Sequence, residues 1–159
     1  MEIGDLVGQI GFGLPLGLGA LGSSLGVGAA GKAAAGAWAK EGREGKPLSF
    51  AYILLVGMPL SQTIYSFILM FIGLQRIAYD PAALAANAGA VFGIGVSCGL
   101  GEFASAWMQG VIGAAAIRCL SDSEGKGLAF LIIAMGIAET VGIFSWVFGW
   151  LLLPVAGAA

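Results

Sequence analysis

Long stretches of this chain carry no charge at all. Residues 6–31, 47–75, 81–101 and 140–159 contain no Asp, Glu, Lys or Arg. Residues 103–117 and 127–138 are equally bare, and each joins a neighbouring stretch through one acid, Glu102 or Glu139. A helix needs about 20 apolar residues to cross a hydrocarbon core about 30 Å thick. The pattern therefore predicts an all-α membrane protein with four transmembrane helices, near 3–39, 48–79, 82–120 and 126–154. Composition agrees. Only 10% of residues are charged, against about 25% in a soluble domain, too few to cover a water-facing surface. With no His and two Cys, zinc fingers, a His-based triad, ordinary haem ligation and a disulfide scaffold are excluded. Cys98 and Cys119 are too far apart along one helix to bridge. A net charge of −2 without a basic patch predicts no nucleic-acid partner.

Breaks and charges set the topology. The segments KEGREGKP (40–47) and SDSEGK (121–126) read as short polar turns, and Tyr79-Asp80-Pro81 separates the second and third helices. Asp80 is placed to cap the third helix, with Pro81 at its first position. Six of the seven basic residues lie in or near the two polar turns, which predicts a multi-pass cell-membrane protein with 40–47 and 121–126 cytoplasmic and both termini outside. The start is acidic, unlike a signal peptide. The first and third helices, at about 1.5 Å per residue, should outrun the bilayer.

The second half of the chain repeats the first. Met58-Pro59-Leu60-Ser61-Gln62-Thr63 aligns with Met135-Gly136-Ile137-Ala138-Glu139-Thr140, and Ala33-Ala34-Ala35 with Ala114-Ala115-Ala116. Two hairpin repeats follow, 1–79 and 80–159, the second carrying Glu139 where the first has Gln62. Small residues recur every four positions in helix one (Gly22, Gly26, Ala30, Ala34) and in helix three (Ala85, Gly89, Gly93, Ser97, Gly101, Ser105, Gln109, Gly113). Such ladders let helix backbones approach closely in lipid. They predict an inner layer of helices one and three and an outer layer of two and four that contacts lipid, and they ask for more small-faced partners than one chain offers. Two G-x-G-x-x-G strings, from Gly17 and Gly26, lie inside an apolar helix without a preceding strand and do not read as a dinucleotide site.

Glu139 is the central residue. It has twelve uncharged residues before it and twenty after, and a charged acid at the bilayer centre costs at least about 2.5 kcal/mol. No Lys or Arg shares its depth, which leaves a proton or a metal cation to neutralise it. Gln62 stands at the matching depth of helix two. Ser61 and Tyr65 are one turn apart, and Gln62 and Tyr65 are also neighbours. Pro59 disturbs the helix and frees a carbonyl nearby, that of Leu55 or Met58. Gln109 adds an amide from helix three. Several neutral oxygens around one carboxylate suit a hard alkali cation and favour Na+ over a proton, which needs only the carboxylate. Glu102 reads as protonated or water-facing, with the ring's inner surface, a water-filled cavity or a second ion station as its possible settings.

In these features the sequence resembles the proteolipid (K or c) subunit of V-type and A-type rotary ATPases. The resemblance rests on Pro59-Leu60-Ser61-Gln62-Thr63-Ile64-Tyr65, on Met108-Gln109-Gly110 followed by Ala114-Ala115-Ala116, and on Ala138-Glu139-Thr140, and it is nearest to the Na+-transporting bacterial branch. It implies a rotor ring of about ten copies, turned by ATP hydrolysis in a separate soluble head and not in this chain. It implies a stator membrane subunit as partner, with lipid around the ring and a central-stalk subunit docked at the cytoplasmic loops. It assigns Glu139 as the ion carboxylate, Gln62, Gln109 and Ser61 as side-chain oxygen donors, Met58 as a backbone carbonyl donor, and Tyr65 as a hydrogen-bond partner of Glu139. An H+-translocating ring of the same family and a stand-alone small membrane transporter or channel are the alternatives.

Overall fold

The computed structural model describes residues 2–154 and is helical throughout, with four helices long and apolar enough to cross a membrane. They are α1 (Ile3–Arg43), α2 (Ala51–Ala78), α3 (Pro81–Asp122) and α4 (Leu128–Leu151). With 41 and 42 residues, α1 and α3 are each about 60 Å long, twice the hydrocarbon thickness.

Both long helices run further than their sequence pattern indicates. Lys40–Arg43 and Ser121–Asp122 are helical rather than part of the turns. Contacts at this end explain the extension. Lys40 and Asp122 pair at 2.7 Å across the two helix ends. Glu41 is buried and accepts hydrogen bonds from the Tyr52 hydroxyl and, at 2.9 Å, from the Ser49 backbone N–H, while Trp38 Nε1 donates to the Ser49 carbonyl at 2.9 Å. Lys40 and Arg43 also complement the C-terminal dipole of α1. Gly45, Gly125 and Gly127, at φ +67°, +85° and +90°, turn the chain where a side chain would be strained. At the opposite end Asp80 caps α3 as its sequence position predicts, its Oδ1 accepting from the N–H groups of Ala82 and Ala83 at 3.0 and 3.1 Å.

α1 and α3 run parallel in the most extensive contact of the molecule. Their backbones touch because glycine sits at each crossing. A Cβ on Gly95 would collide with the Gly11 carbonyl, and one on Gly110 with the Gly26 backbone; at Gly22 it would stand 2.6 Å from the Phe103 backbone. Pro15 lies inside α1 and leaves the Gly11 carbonyl without its helical donor; that carbonyl is the one packed on Gly95. The ladder of α1 is buried at every rung from Gly22 to Ala34. The ladder of α3 divides: Ala85, Gly89, Gly93 and Ser97 lie on an uncovered face, whereas Ser105, Gln109 and Gly113 point inward. Gly13, Gly17 and Gly28 of α1 likewise have no neighbour within the protomer, so each of the two long helices keeps an open small-residue face turned away from the other.

α2 and α4 flank this pair and turn large apolar side chains outward, among them Ile64, Phe67 and Phe71 on α2 and Phe144 and Phe148 on α4. α2 is not uniform. A 3-10 turn at Met58–Leu60 interrupts it, where Pro59 cannot donate a backbone hydrogen bond, and its Leu69–Leu74 segment is wound as a π-helix. The Pro59 carbonyl accepts from the Ser23 hydroxyl at 2.6 Å, and Ser23 accepts from Thr63 at 2.8 Å, tying the irregular turn to α1.

Candidate functional site

One group of polar side chains in the membrane region gathers where α2, α3 and α4 meet. α4 contributes Glu139, its twelfth of 24 residues. The carboxylate is partly exposed, and its Oε1 accepts a hydrogen bond from the Tyr65 hydroxyl at 3.2 Å. Tyr65 is itself packed against Trp146, ring centroids 5.9 Å apart. Glu139 borders a surface depression with Ile53, Leu54, Gly57, Met58, Ser61 and Ile64 of α2. Apart from the acid and Ser61, its walls are apolar or backbone.

The Pro59 turn supplies the next donors. Ser61 Oγ lies 3.0 Å from the Met58 carbonyl oxygen and 2.6 Å from Gln62 Oε1, so its single hydroxyl proton serves one of them at a time. Gln62 is fully buried, and its Nε2 donates to Ser105 Oγ at 3.0 Å. Ser105 in turn donates to the Ala138 carbonyl at 2.9 Å, directly beside Glu139. Met58, Ser61, Gln62, Tyr65 and Glu139 are thus brought together.

Gln109 is placed differently. Its amide is fully buried with neither atom paired. It sits one helical turn from Ser105 and one from Gly113, where a Cβ would stand 3.1 Å from the Leu55 carbonyl and 3.2 Å from Met135. Gln109 therefore occupies the face of α3 turned to α2 and α4, without a direct bond to the other donors.

Two residues belong here that sequence reading did not include. Ser105 reads as a rung of the small-residue ladder, yet its hydroxyl links Gln62 to α4. Glu102 reads as protonated or water-facing; it is 1% exposed, inside the bundle, which corrects the water-facing alternative, since neither a water-filled cavity nor an inner ring surface is its setting. Its Oε2 would lie 2.9 Å from a Cβ on Gly142, where Gln62 Nε2 and Ser105 Oγ would stand at 2.8 and 3.0 Å. Glycine at 142 is what lets these three groups approach α4. The spacing of 37 residues between Glu102 and Glu139, on separate helices, held no signal of this.

The set is rich in neutral oxygens and poor in the ligands of transition metals. Among the described residues no three Cys, Asp or Glu side chains cluster for a metal. The ion pairs among the described residues, Lys40–Asp122, Lys46–Glu44 and Lys46–Glu124, all lie at the polar end, far from this layer. Carboxylate, hydroxyl, amide and carbonyl oxygens in an apolar wall fit a hard monovalent cation.

A family model described as the C subunit of ATP synthase matches two segments, residues 10–73 and 92–152. No curated protein matches the chain. The two segments together span most of the sequence and contain Met58, Ser61, Gln62, Tyr65, Gln109 and Glu139. The chain therefore belongs to the ATP synthase C-subunit family, the ion-translocating rotor-ring proteins of rotary ATPases.

Proposed function

We propose that the chain is the rotor-ring proteolipid of a V-type ATPase and that each protomer carries one Na+ at Glu139. The family forms homo-oligomeric membrane rings that work with stator and stalk subunits. The finer reading rests on one observation above the rest: a mid-membrane carboxylate beside a proline-broken helix whose hydroxyl, amide and carbonyl oxygens lie at the same level. Two matched segments in one chain, 10–73 and 92–152, support the double-hairpin reading, with 1–79 and 80–159 as repeats; the ion carboxylate of this reading, Glu139, lies in the second.

In this reading Na+ is the cargo, held by Glu139, Ser61 Oγ, Gln62 Oε1, Gln109 Oε1 and the Met58 carbonyl. The Tyr65 hydroxyl stays off the ion and fixes the carboxylate. Neutralisation is the physical core of transport. An occupied site can face hydrocarbon, whereas an empty charged one is held to the polar stator interface by the cost of burying a bare carboxylate. The ring, of about ten copies, packs through the uncovered small-residue faces of α1 and α3. The cytoplasmic turns after α1 and α3 dock the central stalk, and both termini lie outside.

The test is ATP-driven uptake of radioactive sodium by proteoliposomes holding the whole ATPase. Uptake should persist, or rise, when a protonophore collapses the proton gradient. Uptake of protons with none of sodium would replace this reading with the H+ ring; sodium flux through the purified ring alone would replace it with a free-standing channel.

A further inference from the structure

A side-chain amide has two ends of nearly the same shape, and only one of them suits a cation. Its oxygen is a ligand for a hard ion, whereas its NH2 group presents positive hydrogens. Gln62 is fully buried, so the end that faces the Glu139 site is set by what meets the other end. Its Oε1 lies 2.6 Å from the hydroxyl of Ser61, which borders the same depression as Glu139. Its Nε2 donates to Ser105 Oγ at 3.0 Å.

Two residues of α3 fix that polarity. Ser105 gives its single hydroxyl proton to the Ala138 carbonyl at 2.9 Å, so toward Gln62 it can only accept. Glu102 Oε2 stands beside it. With Gln62 Nε2 and Ser105 Oγ it surrounds the point where Gly142 lacks a Cβ, at 2.9, 2.8 and 3.0 Å from that point respectively. Neither carboxyl oxygen has a hydrogen-bond partner of its own, so acceptor lone pairs face the NH2 end of the amide. A carboxyl group offers such an acceptor whether ionised or neutral, and a neutral one has the remaining lone pair of Ser105 for its own proton. Turned over, the amide would set Oε1 against these oxygens, with no proton from Ser105 between them, and its NH2 group toward the ion.

We propose that Glu102 and Ser105 are positioning residues for ion binding: they hold the Gln62 amide nitrogen on the α3 side and so keep its oxygen turned to the Glu139 site. Neither of them touches the ion. Through the Ala138 carbonyl, Ser105 also ties α3 to the residue of α4 next to Glu139. This role rests on the Na+ reading of Glu139.

The test is the sodium affinity of the purified, detergent-solubilised ring, measured by equilibrium binding of radioactive sodium at neutral pH. Ser105→Ala and Glu102→Leu should each raise the dissociation constant roughly tenfold. Glu102→Gln keeps an acceptor oxygen in the same volume and should stay within about threefold of wild type. In a ring that already carries Gln62→Ala, Ser105→Ala should cost no further affinity, because the amide it orients is gone; a general loosening of the bundle would cost as much there as in the wild type. If Glu102→Leu does not assemble, Ser105→Ala with and without Gln62 carries the test. Unchanged affinity in Ser105→Ala, an equal loss with and without Gln62, or a Glu102→Gln ring as weak as Glu102→Leu overturns the positioning role. Binding that Glu139→Gln abolishes leaves the transport reading standing in each of those cases. A wild-type ring that binds no sodium, or a Glu139→Gln ring that binds it as tightly as wild type, sinks the Na+ reading and the positioning role with it.

Discussion

Glu139 and Glu102 lie in one polar layer, yet the fold treats them in opposite ways. Glu139 stands on the outer helix α4, partly exposed, with a tyrosine hydroxyl 3.2 Å away and an apolar depression beside it. Glu102 stands on the inner helix α3, sealed among three helices with no partner. The difference follows from the layers. At the level of Glu102, α3 turns this acid toward α2 and α4 while Leu100, Trp107 and Met108 take its exposed side. A single-layer helix such as α4 presents its acid sideways, where an ion can be exchanged. Position in the bundle therefore leaves one acid open at the side and encloses the other, although the two residues are chemically identical.

The sharpest way to break this contrast is to remove the outer acid. Glu139→Gln should reduce ATP-driven sodium uptake by the reconstituted ATPase to background while the ring still assembles. Retained uptake would move the carrier role elsewhere. Nearly as severe should be Gly110→Leu, because even a Cβ at that position collides with the Gly26 backbone. Overpacking of this kind costs about 1–3 kcal/mol, and a ring that gives way to monomers on a mild-detergent gel, or melts well below wild type, is the expected readout.

Gly142→Ala probes the inner acid without changing any charge. Its methyl group would stand 2.8–3.0 Å from Gln62, Glu102 and Ser105 at once, tighter than carbon–oxygen packing allows. It should lower the ring's thermal midpoint, read by calorimetry, and an unchanged midpoint would show that α4 can draw back from the three groups. Tyr65→Phe probes the outer acid in the same spirit. It deletes one hydrogen bond of about 0.5–1.5 kcal/mol, so sodium affinity should fall by roughly two- to tenfold, with ring stability little changed by calorimetry.

The smallest effect belongs to the polar end. Lys46 sits between Glu44 and Glu124 at 3.1 and 3.4 Å, and hydrogen bonds to these carboxylates hold its ammonium above its ordinary value of 10.5. A raised lysine stabilises the folded state fully below its unfolded value and loses that contribution as pH rises through the folded one. Because the group is exposed, Lys46→Ala should leave the thermal midpoint at neutral pH nearly unchanged.

Most of the architecture was legible in the sequence because it is written in charge. Uncharged runs between polar turns mark the four spans, and Asp80-Pro81 marks the start of α3. Pro59 announced the irregular turn, and Ser61, Gln62 and Tyr65 fell together by helical spacing alone. The environment of Glu102 was illegible for a physical reason. It depends on Gly142, 40 residues away, whose missing side chain admits three polar groups against another helix. Ser105 was hidden by its size, since a serine in a ladder of glycines and alanines reads as packing. The π-wound segment of α2 has no marker in its residues, Leu69 to Leu74.

The central claim is that Glu139 meets hydrocarbon only when a captured sodium ion has cancelled its charge. Labelling of the intact ring by a hydrophobic carbodiimide, located by mass spectrometry, tests it most directly. At neutral pH, sodium should protect Glu139 from modification in proportion to occupancy, and potassium far less. Modification of Glu139 unaffected by sodium and suppressed only at high pH would show that a proton alone neutralises it.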